Sequence, residues 1–299
     1  MESNQSKTRR KFIWSVSVIS VLVIIIVLLS RVDFSSKIKG LEEATNNFFV
    51  QTLNSDALTP PPLRGVFGEQ KEPLTEAGVL LWTNKNREDN AEIDLTQNAV
   101  LSKMAEQKLE DMFTNQYFEH ESPTGVGPSG LAKQVGYDYI IIGENLALGN
   151  FNGDKALVDA WMASPGHRAN ILNVRYREIG IAVGQGVFEG KKTWLAVQEF
   201  GLPITACPQP SKTIKTAIDQ TKKDVDTLET SLNTQKTAID KASPKYGADY
   251  EAMVSKYNAS VHKFNTLVTS LKDKIATYNK QVSLFNGCAD ISSTTPNKI

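Results

Sequence analysis

The longest regular pattern of apolar residues lies in the last third of the chain. Between residues 214 and 239, seam-forming side chains recur at alternating intervals of four and three. A second series with the same alternation runs through residues 250–285, and a segment containing proline and glycine, 243–247, separates the two. Two heptad seams about one helix-breaking turn predict an antiparallel helical hairpin, a coiled coil. We expect its helices at about 212–242 and 248–285.

The middle of the chain changes between helical and strand periodicity. Intervals of three and four, or apolar alternation, predict these elements: a helix that begins at Thr75 and ends before the polar residues 84–90, helices over about 96–113 and 154–162, a strand over 139–146, and a hairpin of strands 179–188 and 193–200 about the turn 189–192. Asp154 is the expected cap of its helix. Helices followed by a small antiparallel sheet indicate an α+β domain, which we place at residues 74–204.

The N-terminus carries a different signal. An uncharged, mostly apolar run of nineteen residues, 12–30, follows a basic cluster in residues 1–11. At ~1.5 Å per residue, such a run just crosses a ~30 Å hydrocarbon core. We interpret it as a transmembrane signal anchor, with a cleaved signal peptide as the alternative. Residues 1–11 are then cytoplasmic, and the chain after Arg31 is extracytoplasmic in a single-pass membrane protein.

Two further segments lie outside the predicted domains, and in the first of them the apolar positions of residues 33–55 favour a short juxtamembrane helix, broken by Gly40. Residues 31–73 form a juxtamembrane segment that ends in a proline-rich linker, in which the stretch 56–73 contains too many prolines and glycines for a regular element. Residues 291–299 are expected to be a disordered tail. The stretch 56–73 is therefore interpreted as a spacer ahead of the domain.

Composition narrows the range of partners. Basic and acidic residues balance, 33 against 33, so the chain as a whole carries no field that would attract nucleic acid. We therefore expect no nucleic-acid partner. The membrane, through residues 12–30, is the first partner that the sequence predicts.

The two cysteines flank the predicted hairpin. Cys207 and Cys288 lie almost symmetrically about the turn, where the base of an antiparallel hairpin brings flanking residues together. An exported chain retains disulfides, and no Cys-x-x-Cys spacing suggests a metal site. We predict one disulfide that closes a helical hairpin at residues 205–290.

Three motifs carry the candidate chemistry. His120 lies in Phe-Glu-His-Glu-Ser-Pro, Glu144 in Gly-Glu-Asn, and His167 in Ser-Pro-Gly-His-Arg-Ala-Asn-Ile-Leu. In order and spacing these motifs resemble the CAP superfamily (cysteine-rich secretory, antigen 5 and pathogenesis-related 1 proteins), most closely its bacterial SCP-like members, over about residues 75–204. The resemblance implies a three-layer α-β-α sandwich with a shared cleft. It also implies a second cleft glutamate, at a position where this chain has Ser164.

His120, Glu144 and His167 allow three interpretations. Two imidazoles and one carboxylate match the ligand set of an open Zn²⁺ site, which makes zinc the candidate cofactor. The same residues suit acid/base chemistry near neutral pH. They also suit a hydrogen-bonded cluster that joins three elements without turnover. No nucleophile is apparent, since Ser122 and Ser164 adjoin prolines and are typical turn residues.

The sequence therefore predicts a membrane-anchored, extracytoplasmic binding or scaffolding module of a bacterial cell surface. Its expected partner is a cell-surface protein or a wall ligand, and the hairpin offers a surface for self-association. The alternative is a metal-assisted hydrolase that acts on peptides or cell-wall components through His120, Glu144 and His167.

Overall fold

The structure, a computed structural model, describes residues 57–65 and 72–290. The predicted cytoplasmic segment 1–11, membrane span 12–30 and tail 291–299 lie outside these residues, as does most of the linker 31–73. Within the described part of the chain, no helix is long and apolar enough to cross a membrane.

Seven α-helices and five strands make up the described chain. The helices are α1 Glu76–Asp89, α2 Ala99–Asn115, α3 Pro128–Val135, α4 Asp154–Ala163, α5 Pro165–Ile171, α6 Lys212–Lys241 and α7 Ala248–Ala289. The strands are β1 Leu63–Arg64, β2 Thr96–Gln97, β3 Tyr139–Gly149, β4 Glu178–Phe188 and β5 Lys191–Pro203. Their order along the chain confirms the predicted α+β class.

One mixed sheet organises the domain. Its strand order is β1-β3-β5-β4-β2, and the three long strands β3, β5 and β4 are antiparallel neighbours. The two-residue strands β1 and β2 pair in parallel with β3 and β4 at the sheet edges. The sheet is therefore mixed, whereas the sequence predicted an antiparallel one, because two-residue edge strands are too short to show any periodicity.

The β4–β5 hairpin confirms the strongest local strand signal. Its loop contains two residues, Glu189 at φ 48° and Gly190 at φ 75°, which is the backbone of a type I′ turn. The predicted four-residue turn was too long. Lys191 and Lys192 continue the ladder instead, opposite Phe188 and Val187.

Helices cover both faces of the sheet. On one face, Leu146 of β3 and Val197 of β5 pack into an apolar cluster with Met112 of α2. On the other face, the Gln198 amide donates to Thr83 Oγ1 of α1 at 2.7 Å. Successive side chains of a strand point to opposite faces, so neighbouring residues of β5 face different layers. This arrangement is the three-layer α-β-α sandwich that the family resemblance implies.

Several predicted helix ends differ from the observed ones. Thr75 is the expected cap of α1, and its hydroxyl accepts from the Gly78 amide at 3.0 Å. However, α1 continues to Asp89, because Arg87 turns inward and donates to the Ile171 carbonyl at 2.7 Å. Asp154 does not cap its own helix. Its carboxylate accepts from the backbone N–H of Thr75 at 2.6 Å and so joins α4 to the start of α1.

The C-terminal helices form the predicted hairpin, hereafter the arm. Buried positions occur along both helices, and those of α6 are Ile218, Thr221, Val225 and Leu232. A disulfide joins Cys207 to Cys288 as predicted, with 5.7 Å between their Cα atoms. Helix α7 extends past the last predicted seam position, Phe285, as far as Ala289. Both of these residues are fully buried at the base of the arm, which explains the extra turn.

Side-chain contacts attach the base of the arm to the sandwich. One guanidinium nitrogen of Arg175, Nη2, donates to the Ala289 carbonyl at 3.2 Å and lies 3.4 Å from that of Cys288. Where the chain enters the arm, the backbone amide of Ser211, just before α6, donates to Gln281 Oε1 of α7 at 2.9 Å. The free carbonyls at the end of a helix attract cations. Arg175 thus satisfies part of the C-terminal end of α7.

Candidate functional site

Residues 57–65, hereafter the linker segment, run beside β3 at the edge of the sheet. The Leu58 amide donates to the Ile142 carbonyl at 3.0 Å, and the Glu144 amide donates to the Leu58 carbonyl at 3.0 Å. At the other end, the Gly65 amide donates to the Leu148 carbonyl at 2.8 Å. The prediction that residues 56–73 hold no regular element was wrong for β1. Prolines 60–62 donate no hydrogen bond, but their neighbours do.

His120 lies between this segment and β3. Its Nδ1 is 2.5 Å from Glu144 Oε1, and its Nε2 is 2.5 Å from the Pro60 carbonyl oxygen. Since a carbonyl only accepts, Nε2 carries a hydrogen, and Nδ1 either donates to ionised Glu144 or accepts from protonated Glu144. The His120 side chain is 14% exposed and that of Glu144 is fully buried. Both ring nitrogens are therefore occupied.

A second buried carboxyl group faces Glu144. Glu199 of β5 is directly opposite Glu144 in the ladder, so both side chains lie on the same face of the sheet. Neither residue is exposed, and neither oxygen of Glu199 has a donor among the described residues. Burial, followed by the neighbouring Glu144, raises the pKa of Glu199 well above its ordinary value. The shift favours the protonated, uncharged form of Glu199 next to Glu144.

Lys108 of α2 is a cation whose charge interacts with both Glu144 and Glu199. Its Nζ donates to the carbonyls of Glu119 and His120, each at 2.7 Å. Burial lowers the pKa of Lys108, while Glu144 and then Glu199 oppose that shift. Lys108 thus holds the backbone that presents His120. Lys108 was not predicted from the sequence as a site residue, because a lysine on an amphipathic helix is ordinarily exposed to solvent.

His167 enters the site from α5. It is 1% exposed, and its Nδ1 is 2.8 Å from Ser164 Oγ. Burial, and then the nearby charge of His120, lowers the pKa of His167 from 6.5 to about 4; the Leu146 backbone partly opposes this, although no well-aligned hydrogen bond reaches Nε2. His167 is therefore neutral at pH 7. Among the residues that the structure describes, no carboxylate orients its ring, so Ser164 and His167 have no third member of a catalytic triad there.

A chain of amide side chains connects α5 to β3, β5 and the linker segment. The Asn170 amide nitrogen lies 3.0 Å from the Leu58 carbonyl oxygen, 3.2 Å from that of Glu144 and 3.0 Å from Asn145 Oδ1, and its two hydrogens are shared among these acceptors. The Asn145 amide in turn donates to Gln198 Oε1 at 3.1 Å. These bonds fix the positions of α5, β3 and the linker segment relative to one another. Buried amides without such partners would be costly.

Arg168 of α5 and Glu178 of β4 have separate partners. Arg168 donates to Asn90 Oδ1 at 3.0 Å, and Glu178 accepts from the Tyr137 hydroxyl at 2.8 Å. The two residues leave α5 and β4 in different directions, which no linear spacing indicates. Ser122, by contrast, is a turn residue as predicted, since its hydroxyl accepts from the Val126 amide at 3.1 Å.

The three residues do not fit a metal ion in this arrangement. A ligating imidazole needs one nitrogen lone pair, and His120 has both nitrogens engaged by Glu144 and the Pro60 carbonyl. Across residues 57–65 and 72–290, no group of three or more His, Cys, Asp or Glu side chains is placed to hold an ion. Zinc ligation by His120, Glu144 and His167 stays a prediction that requires the Pro60 contact to open.

The site places two buried carboxyl groups, Glu144 and Glu199, next to the ring of His120. His120 Nε2–H points at a peptide carbonyl. Sequence reasoning found two of these residues through their motifs. It missed Glu199, although a lone glutamate inside the apolar run of β5 is the kind of buried charge that marks a site.

The fold and the three motifs define this part of the chain as a CAP domain. Residues 83–200 match the family described as CAP, the cysteine-rich secretory protein family. The chain therefore carries a CAP domain of the bacterial kind, as the resemblance indicated.

Two proteins of Bacillus subtilis (strain 168) are similar to it in sequence. The uncharacterized protein YkwD is 38% identical over 125 residues, which cover 42% of this chain and 46% of YkwD. The uncharacterized membrane protein YlbC is 30% identical over 112 residues, which cover 38% of this chain and 32% of YlbC. The similarity thus spans less than half of either relative.

Solved structures show a weaker similarity. An extracellular protein containing an SCP domain from Bacillus anthracis str. Ames is 25% identical at a TM-score of 0.36, covering 44% of this chain and 45% of that chain. An outer surface protein from Borrelia burgdorferi is 20% identical at a TM-score of 0.36, covering 46% of this chain and 99% of that chain. At these TM-scores the two similarities add nothing to the sequence match.

Proposed function

We propose that this chain is a membrane-anchored extracytoplasmic protein whose CAP domain is a binding or scaffolding module. The observation that carries the proposal is the state of His120. Both of its ring nitrogens are engaged, and the outer one donates to a peptide carbonyl. A histidine held in this way binds a polypeptide group well. It is a poor general base, because its lone pairs are not available.

The absence of an activated nucleophile supports the same function. Ser122 Oγ is 2.9 Å from Thr124 Oγ1 and accepts from the Val126 amide, which accounts for it as a turn residue. Ser164 contacts His167, whose pKa of about 4 makes it a weak base at pH 7. Among the described residues of the cleft, none has the partners of a working nucleophile.

Binding without turnover is directly testable. The full chain in mild detergent is incubated with bacterial envelope fragments, and both the bound protein and the released soluble products are measured. We expect saturable binding and no time-dependent release. Release that grows with time and disappears in His120→Ala would contradict the proposal.

The arm is a second candidate surface for a cell-surface partner or for self-association. Substituting Asp for the buried Val225 should disrupt the arm while the sandwich stays folded, because their cores are separate. If this variant binds the envelope as well as wild type does and sediments identically, the arm has no part in either process.

Membrane anchoring rests on the composition of residues 12–30, with YlbC as a relative that is named a membrane protein. In intact cells, an external protease should digest the sandwich and arm but leave residues 1–11 protected. Protection of the whole chain until lysis would contradict the predicted orientation.

The second candidate is a metal-assisted hydrolase acting on peptides or wall components. The buried pair Glu144 and Glu199 favours it, since the pKa of Glu199 is raised and buried carboxyl groups with a raised pKa are common in acid/base sites. The test is zinc quantification on protein that has been stripped and reloaded. One ion per chain, lost in His120→Ala and in His167→Ala, would support it. Equal stoichiometry in wild type and both variants would exclude the metal-assisted version.

A further inference from the structure

The linker segment lies in a groove that has the features of a peptide-binding site. The edge of β3 forms its floor, α5 forms one wall with Gly166 and Asn170, and His120 forms the other. The bound segment makes backbone hydrogen bonds to Ile142, Glu144 and Leu148. Addition of an extended strand to a sheet edge is a common mode of peptide recognition.

The middle of the groove is shaped for a proline. A Cβ atom added to Gly166 would lie 2.6 Å from Pro60 Cβ, so the missing side chain at Gly166 creates the space for the proline ring. The carbonyl of the same proline accepts from His120 Nε2. Ring and carbonyl are thus recognised together, from opposite walls.

The resident segment is a weak occupant. Residues 60–62 are three successive prolines, which provide no amide hydrogen for the β3 edge. The edge carbonyls of Glu144 and Leu146 accept instead from the side chains of Asn170 and Trp161, at 3.2 and 3.3 Å. Leu58 leaves 49% of its surface exposed, so it fills no specific pocket. The segment is held by backbone bonds of Leu58 and Gly65, by the pairing of Leu63 and Arg64 with β3, and by Pro60.

From these contacts we infer that the groove is a receptor site for an extended, proline-containing segment of another polypeptide, and that residues 57–65 occupy it in cis until that partner displaces them. The inference rests on the proposed binding function and names its ligand class. A tethered occupant acts at an effective concentration in the millimolar range for a short flexible connection. The apparent affinity for the partner is reduced by the fraction of molecules whose groove is filled.

The test uses the full chain and a fluorescent peptide with the sequence of residues 57–65. The variant Leu58→Pro with Gly65→Pro removes the two amide donors at the ends of the segment and leaves the groove unchanged. Leu58→Ala is the matched control, because it keeps the amide and truncates a half-exposed side chain. Fluorescence anisotropy reports binding, and hydrogen exchange of the Glu144 amide, which donates to Leu58, reports whether the segment has left.

We expect the double proline variant to bind the peptide at least tenfold more tightly than wild type and than Leu58→Ala. Adding Gly166→Ala should abolish that gain, because a methyl group then fills the proline seat in the groove. A peptide in which alanine replaces the proline equivalent to Pro60 should also bind at least tenfold more weakly.

Three results would overturn the inference. The first is failure of the released groove to bind the peptide while the Glu144 amide exchanges freely. The second is retained protection of that amide in the double variant, which would show that other forces hold the segment. The third is a concentration-dependent dimer of wild type that Leu58→Pro abolishes, which would identify a second copy as the partner. Envelope binding by the full chain is measured separately, so its loss would count against the proposed function alone.

Discussion

The sandwich and the arm bury different kinds of residue. Of the polar side chains that are buried in the described chain, one, Thr221, belongs to the arm, and the rest belong to the sandwich. The arm buries one kind of surface along its whole length, an apolar seam between two helices. The sandwich encloses Glu144, Asn145, Gln198 and Glu199, all without exposure, in the middle of its sheet. Burying such groups is costly unless a fold-wide network satisfies them, so their position marks the functional region.

Because the two regions bury different residues, their stabilities should depend on different interactions. The arm has one contact surface per helix, so its stability should respond to the seam and the disulfide alone. The sandwich buries two groups with shifted pKa values, His167 and Glu199, so its stability should respond to pH. A substitution confined to one region leaves the other region as its reference.

The largest effect is expected from the disulfide. Replacing Cys207 and Cys288 with serine opens a loop whose ends are 81 residues apart in sequence. The chain-entropy model assigns such a loop about 4.5 kcal/mol, so the arm should melt at a much lower temperature than in wild type. Far-UV circular dichroism follows the arm, and near-UV signals of buried Trp161 follow the sandwich. Coincident melting of both regions at the lower temperature would show that they are one cooperative unit.

The seam comes next. Leu232 of α6 is 1% exposed, whereas Leu284 of α7 is 57% exposed. Leu232→Ala should cost about 3 kcal/mol through lost burial and a cavity. Leu284→Ala, the same substitution on the open face, should stay within about 0.5 kcal/mol. Denaturant titration measures both. An equal cost at the two positions would mean that the open face is covered, as in a dimer of arms.

The pH response belongs to the sandwich. The folded-state pKa of His167 is about 4, below its ordinary 6.5, so the unfolded chain gains a proton first as the pH falls. The associated stability is complete above pH 6.5 and is lost as the pH falls towards 4, by up to about 3 kcal/mol. His167→Gln should remove this loss, which is measured as the difference in unfolding free energy between variant and wild type across that range.

The contribution of Glu199 to stability changes with pH in the opposite direction to that of His167, so Glu199 serves as a control. Its folded-state pKa is raised, so its contribution to stability is complete below about pH 4.5 and decreases as the pH rises. The two groups partly cancel in wild type. Glu199→Gln should therefore make stability rise more steeply with pH than in wild type, and a flat difference curve would contradict the raised pKa of Glu199.

The smallest effect compares two helical glycines. Alanine at Gly287 of α7 would meet no atom within 4 Å, whereas alanine at Gly166 of α5 would meet Pro60. Gly287→Ala should stabilise the protein by up to about 1 kcal/mol through helix propensity. Gly166→Ala should gain less or nothing, because the linker segment must move. Thermal melts of the two variants provide the comparison, and an equal gain would show that Pro60 is not seated against Gly166.

The arm could be predicted almost completely from the sequence. Its apolar residues recur at alternating intervals of four and three, and one helix-breaking segment separates the two series. Such a pattern specifies contacts within each helix and with one neighbouring helix. The disulfide followed from that geometry. The site was predictable only in part. Motifs identified His120, Glu144 and His167, but Glu199 reaches the site through the register of β3 with β5, which pairs residues 55 positions apart. The contact between His120 and Pro60 spans 60 positions. No pattern within a sequence window specifies such pairs, because the packed sheet creates them.

The position of the disulfide also determines how the chain would carry a pulling force. Cys207 lies just beyond β5 and Cys288 lies near the end of α7, so tension between the sandwich and any residue after Cys288 passes through the sulfur atoms. The arm hangs outside this path and bears no load. Reduction would place the intervening chain in series, and its extension would release roughly 280 Å of slack at about 3.4 Å per residue. The disulfide thus carries the force past the arm, and single-molecule stretching in the presence and absence of reductant would measure the chain length that reduction releases.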